Sequence, residues 1–176
     1  MSTLLFVPGS LRAASASRAT ARALVQRVSH DADCVIADIG LMPHYNAAVT
    51  DAPGVAAWFA QVGAADGVVF VTPEYNYSVP GVLKNAIDWA SRPAFESVFK
   101  GKRCFVVSIS GGALGGVRAQ AHLKYSLQGM LAETFVCKEI VVADANSKVA
   151  DGMLVDDAIL DFAEANLRDF LDQLKK

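Results

Sequence analysis

The chain has 176 residues, 53% of them hydrophobic and 19% charged, with 16 Lys and Arg against 18 Asp and Glu. That length fits one domain spanning 1–176, and the apolar content excludes a disordered chain. A net charge of −2 with no basic stripe argues against nucleic acid as a partner. Apolar runs such as Leu4–Val7 and Val68–Val71 fall far short of the roughly 20 residues of a membrane span. With no leader pattern at the start, a cytoplasmic protein is expected.

Taken in chain order, apolar runs and helical periodicities alternate. Leu4–Pro8 reads as a strand, followed by a helix that ends at Leu24, Val25 and Val28. Cys34–Ile39 is the second strand, and Val55, Trp58, Phe59 and Val62 mark the second helix. Val68–Thr72 is the third strand, with Leu83, Ile87 and Ala90 marking the helix after it. Cys104–Ile109 is the fourth, followed by a helix carrying Leu123, Leu127, Met130 and Leu131. Phe135–Val142 is the fifth. The final helix shows one apolar face of Ile159, Phe162, Ala163, Phe170, Leu171 and Leu174, with Asp156 and Asp157 at its start and Lys175 and Lys176 at its end. Near-continuous apolar strands are covered on both faces, so five strand–helix alternations predict a three-layer, doubly wound α/β domain with a parallel sheet. Cys34, Cys104 and Cys137 have neither disulfide nor zinc spacing and read as small buried hydrophobes.

Ligands of such sheets bind beyond the carboxyl ends of the strands, and three unusual loops fall there. The loop after the first strand holds Gly9, Ser10, Arg12, Ser15 and Ser17 before a helix N-terminus, the chemistry of a phosphate site. A Ser-capped helix beside a surface arginine would look the same. The loop after the third strand puts Glu74, Tyr75, Asn76 and Tyr77 on a turn, suited to a planar hydrogen-bonding ligand. Ser78 there is expected to cap the next helix, with Pro80 in its first turn. After the fourth strand, Gly111-Gly112-Ala113-Leu114-Gly115-Gly116 either lets backbone amides approach a flat surface or forms a flexible turn.

These motifs resemble the NAD(P)H-dependent FMN reductases, the flavodoxin-like group of bacterial quinone, azo-dye and chromate reductases. The resemblance rests on Gly9-Ser10-Leu11-Arg12 with Ser15, on Thr72-Pro73-Glu74-Tyr75-Asn76 through Lys84-Asn85-Ala86-Ile87-Asp88-Trp89, and on Gly111-Gly112 with Gly115-Gly116 and Arg118-Ala119-Gln120. It spans essentially the whole chain. It implies a flavodoxin-like sheet of five parallel strands in the order 2-1-3-4-5. It also implies FMN as cofactor, with NADH or NADPH as reductant. By the same resemblance Ser10, Arg12, Ser15 and Ser17 bind the phosphate beside Gly9, and Pro73, Glu74, Tyr75, Asn76, Ser110 and Gly111 contact the ring. Ser17 stands where the family often has Asn. The loop carrying Tyr45 and Asn46 is then a wall of the substrate pocket, from the same or a neighbouring subunit, with Tyr77 and Gly112.

The implied activity is two-electron, ping-pong transfer from NAD(P)H to a quinone or another flat acceptor, by a homodimer or homotetramer. The alternative is a flavodoxin-like single-electron carrier that binds FMN, against which the weak net charge and the Arg-containing phosphate loop both argue. No residue is expected to act as acid or base. His44 reads as a surface loop residue, and His30 and His122 likewise. Trp58 and Trp89 read as packing, and Asp88 as a structural or interface residue.

Overall fold

Successive residues of a strand face opposite sides of its sheet, so a strand that is apolar at every position needs cover on both. The computed structural model, which describes residues 1–176, shows how that cover is supplied. A parallel sheet is built from β1 (Ser2–Pro8), β2 (Ala32–Ile36), β3 (Gly67–Pro73), β4 (Arg103–Ile109), β5 (Glu133–Thr134) and β6 (Ile140–Val142). Their order is β2-β1-β3-β4-β5, with β6 also paired to β4. Leu5, Val7, Val68, Phe70 and Val106 pack beneath α2 (Pro53–Ala64), α3 (Gly81–Ala90) and α4 (Val117–Gly129). Their chain neighbours Leu4, Phe6, Val69, Val71, Phe105 and Val107 pack beneath α1 (Ala16–Val28) and α5 (Asp157–Leu174). The three layers agree with the sequence pattern, and the 2-1-3-4-5 order with what the family resemblance implies. No helix is long and apolar enough to cross a membrane.

Several local expectations are corrected. The second strand begins and ends earlier than Cys34–Ile39. Ile39 instead opens a single 3₁₀ turn whose Gly40 amide donates to Asp38 Oδ1, and as an edge strand β2 leaves Val35 and Ile36 partly exposed. The fifth strand is not continuous. β4 advances three residues from Cys104 to Val107 while the outer strand advances six, from Thr134 to Ile140, so the surplus bulges out. Phe135 opens the bulge with its ring against Phe105 and Phe170, and Val136 is left almost fully exposed. The half-buried Cys137 lies in this bulge and Cys34 is half-buried on β2; only Cys104 is a core residue. On α5 the buried face is Leu160, Ala163, Leu167, Phe170 and Leu171, which leaves Phe162 at its exposed margin. A short hairpin of β7 (Val149–Ala150) and β8 (Met153–Leu154), not foreseen, rests on α1 through Arg22 Nε, which donates to the Gly152 carbonyl at 3.1 Å.

Trp58 and Trp89 are buried as expected. Each indole donates to a main-chain carbonyl, of Ala86 and of Pro43 respectively, so neither leaves an unmet donor. Asp156 caps α5 by accepting from the Ile159 amide at 3.1 Å and pairs with Lys148 at 3.0 Å. The amide, and then the lysine, hold its carboxyl below the usual aspartate range. Because the folded-state value is depressed, the stabilisation is complete above the unfolded aspartate range and fades as pH falls through about 4 and below. Asp156→Ala is expected to cost about 1 kcal/mol at neutral pH, and less in acid. Chemical denaturation at pH 7 and pH 3 measures both.

Candidate active site

The sheet order reverses between β1 and β3, and at that point the carboxyl ends of β1, β3 and β4 open into a cleft of about 120 Å³. It is lined by residues of all three predicted loops: Ser10, Arg12, Ser15 and Ser17 from the first, Pro73, Glu74 and Tyr75 from the second, Ser110 and Gly111 from the third. Nine of the eleven residues expected to hold the cofactor thus share one hollow.

The β1–α1 loop supplies its floor. Gly9 does not line the cleft. A Cβ there would stand 2.9 Å from Pro73 Cδ, so glycine lets the first loop lie against the second. Ser15 caps α1 by accepting from the Arg18 amide, and its hydroxyl lies 3.2 Å from that of Ser17. Both serines are buried, as is Ser10. The amides of Ala16 and Ser17 precede any carbonyl that the helix could offer them. The loop's own carbonyls are drawn elsewhere: Ser10 O accepts from Arg18 Nε and Ala13 O from Arg22. Arg12, by contrast, is exposed, and its guanidinium makes no hydrogen bond or ion pair. Three buried hydroxyls, helix-end amides and an uncommitted guanidinium together form a donor set of the kind that suits a phosphate.

The second loop is a tight two-residue turn. Tyr75 and Ser78 exchange both main-chain hydrogen bonds, and Asn76 and Tyr77 between them have φ of 46° and 66°. Tyr75 OH reaches Ser10 Oγ at 3.2 Å and ties this turn to the phosphate loop. Glu74 does not turn its carboxylate into the cleft. It accepts from the amides of Arg118 and Ala119 and pairs with the Arg118 guanidinium at 2.6 Å, capping α4 from outside, because Gly116 at the cap position has no side chain. Ser78 does not cap α3. Its hydroxyl meets His122 Nδ1 at 2.9 Å, and Pro80 stands at the cap position instead.

Of the third loop's glycines, only Gly111 lines the cleft. A Cβ on it would meet the Asn146 amide at 2.7 Å, and Asn146 itself borders the cleft from the turn after β6. Sequence reasoning missed Asn146; its one signal was its place just past the last strand. Gly115 and Gly116 have positive φ and pack against β6 and β4 rather than facing a ligand.

Of the four residues expected to wall the substrate pocket, none lines this cleft. Tyr45 lies edge-on to Trp89 with rings 5.0 Å apart, and its amide donates to Asn85 Oδ1. It borders a separate hollow of about 530 Å³ between α2 and α3. Asn46 accepts from the Ala48 amide. Tyr77 lies under the Arg118 guanidinium at 4.3 Å, and Gly112 donates its amide to Ser110 Oγ. His44 is exposed. Burial pushes the Cys34 thiol up to about 11 and raises Cys104 and Cys137 too, so none is a reactive thiolate.

Comparison with known proteins shows the family of the chain. The NADPH-dependent FMN reductase family pattern matches residues 2–147. An NAD(P)H-dependent FMN reductase of Pseudomonas aeruginosa is 38% identical over 94% of this chain and 91% of its own. A quinone reductase of Escherichia coli (strain K12) is 39% identical over 92% of this chain and 89% of its own. Among solved structures, the flavoenzyme NAD(P)H:(acceptor) oxidoreductase FerB of Paracoccus denitrificans superposes with a TM-score of 0.88 at 32% identity, covering 99% of this chain and 98% of that one. The match runs through all three cleft loops, and on it the chain belongs to the NADPH-dependent FMN reductase family.

Proposed function

We propose that the cleft holds FMN with its phosphate on Ser10, Arg12, Ser15, Ser17 and the first amides of α1. The ring would lie along Pro73, the main chain of Glu74, Tyr75 and Asn76, and Ser110 and Gly111, with Gly9 letting the two loops close on each other. The observation that carries this reading is that the uncommitted Arg12 lines one cleft with three buried serines at the point where the sheet order reverses. No free carboxylate competes there for the phosphate, since Glu74 is turned to α4. The donors fit an anion at one end, and the main chain of two loops offers a flat wall at the other.

The protein is an FMN-dependent NAD(P)H oxidoreductase acting on quinones. FMN, when bound, supplies the two-electron chemistry; the chain's residues bind and orient it and need supply no acid or base. NADH or NADPH and the acceptor then use one cleft in turn, which makes the kinetics ping-pong. The chain works as a homo-oligomer, dimer or tetramer, in which the loop of Tyr45 and Asn46 walls the cleft of another copy, with Tyr77 and Gly112 at its rim. That arrangement would account for why none of the four lines the cleft of its own chain. Three unpaired cysteines accord with a cytoplasmic, reducing setting.

The test is to purify the protein, extract and identify its yellow cofactor, and follow NADH and NADPH oxidation with benzoquinone. Parallel double-reciprocal lines are expected, and intersecting lines would refute the shared cleft. Light scattering that returned the monomer mass of 18.6 kDa at micromolar concentration would refute the oligomer.

A further inference from the structure

The turn of Tyr75–Ser78 has a conformation its own sequence does not favour. Two-residue turns with both central residues at positive φ prefer Asn-Gly, because glycine accepts that backbone freely. Here the pair is Asn76-Tyr77, and a bulky side chain at φ 66° is a true outlier. Such strain persists only where the surroundings over-determine it.

The surroundings are α4, which meets the turn at three points. Glu74, just before it, takes two α4 amides and the Arg118 guanidinium. The same guanidinium lies over the Tyr77 ring, 4.3 Å from its centre. One helical turn on, His122 Nδ1 meets the Ser78 hydroxyl at 2.9 Å. Tyr77 is two-thirds exposed, so no core packing holds its ring. A planar guanidinium pairs with a carboxylate through its edge while stacking an aromatic ring on its face, which an ammonium group cannot do.

We propose that Arg118 and His122 are positioning residues, holding the Tyr75–Ser78 turn in its left-handed conformation so that the main chain bordering the flavin ring is in place before binding. This rests on the reading that the turn borders the ring. Neither residue lines the cleft, so both act through the turn. Loss of the stacking contact lowers the fraction of molecules with the turn set, and apparent affinity falls by that fraction.

The test measures binding of FMN and of riboflavin, which lacks the phosphate, to the apoprotein by quenching of flavin fluorescence. Arg118→Leu keeps the main-chain amides that Glu74 caps, and is expected to weaken both flavins equally, by about three- to tenfold. His122→Ala is expected to weaken both by a smaller factor. Tyr77→Leu breaks the same stacking contact from an exposed position and serves if Arg118→Leu does not fold. The Arg118→Leu, Tyr77→Leu pair is expected to lose no more than Arg118→Leu alone, because the stacking contact that Tyr77→Leu removes is already gone in it. A general loss of stability would move the apoprotein's melting without this coupling. Unchanged affinity for both flavins in Arg118→Leu and Tyr77→Leu would overturn the proposal, provided that Arg12→Ala still weakens FMN. If Arg12→Ala also leaves FMN binding unchanged, the cleft assignment itself fails.

Discussion

Gly115→Ala is expected to destabilise the protein by about 2–4 kcal/mol, through a strained backbone and a clash together. Gly115 has φ +54°, and a Cβ there would stand 2.2 Å from Val141 Cγ1 and 2.9 Å from the Ala143 amide nitrogen. The second of these is main chain and cannot rotate away, so the loop or β6 must move. The damage would reach the cleft, because this loop is stitched to the end of β6 and the segment after it by three hydrogen bonds: Ser110 N to Val142 O, Ala145 N to Ser110 O, and Asp144 N to Gly112 O. Asn146 follows directly. Gly112→Ala, three residues earlier, is the control: its Cβ would meet only Ser110 Oγ, at 3.7 Å, and a change within about 0.5 kcal/mol is expected. Urea denaturation of the apoproteins compares them. Equal stability of the two variants would show that the close approach of Gly115 to β6 can be relieved at no cost.

Arg12→Ala is expected to weaken FMN about ten- to a hundredfold, the loss of one charge-assisted contact worth roughly 1.5–3 kcal/mol. Riboflavin should bind the variant and the unsubstituted protein alike, since only the phosphate is at stake. Arg12 has no protein partner, so its removal strands no buried group and should leave the apoprotein's stability unchanged. Because the guanidinium is exposed, the difference should shrink as salt rises. Equal losses for both flavins would move Arg12 from the phosphate to the ring, and no loss for either would remove it from the site.

The central sheet was legible because Val68–Val71 and Cys104–Val107 are apolar at every position, which a strand covered on both faces explains. Where tertiary contacts rather than pattern decide, the sequence was mute. Phe135–Val142 reads as one strand, yet the ring of Phe135 is held by Phe105 and Phe170 while the chain beyond it leaves the ladder. Ile159 and Phe162 fit a helical face, but the sheet takes Leu160 and Leu167. In the site, the donors on the first loop were evident because a phosphate needs hydroxyls, a guanidinium and helix-end amides close together in sequence. The capping of α4 by the Glu74 carboxylate was not legible because its partners lie 44 and 45 residues away, and Ser78 was misread because His122 lies 44 away. Asn146 stands alone in a polar segment with no motif around it, and only the fold brings it to Gly111.

The bulge in the outer strand also bears on how copies of the chain meet in concentrated solution. A sheet's last strand is a template on which another chain can add its own, and the hazard grows with the length of regular, flat backbone on offer. Here that backbone comes as two residues and then three, separated by five that step out of line, with Lys138 and Glu139 among them. A strand arriving edge-on finds no continuous run to match and meets two charged side chains. The irregularity that the sequence pattern did not show is therefore a guard against edge-to-edge aggregation of the fold.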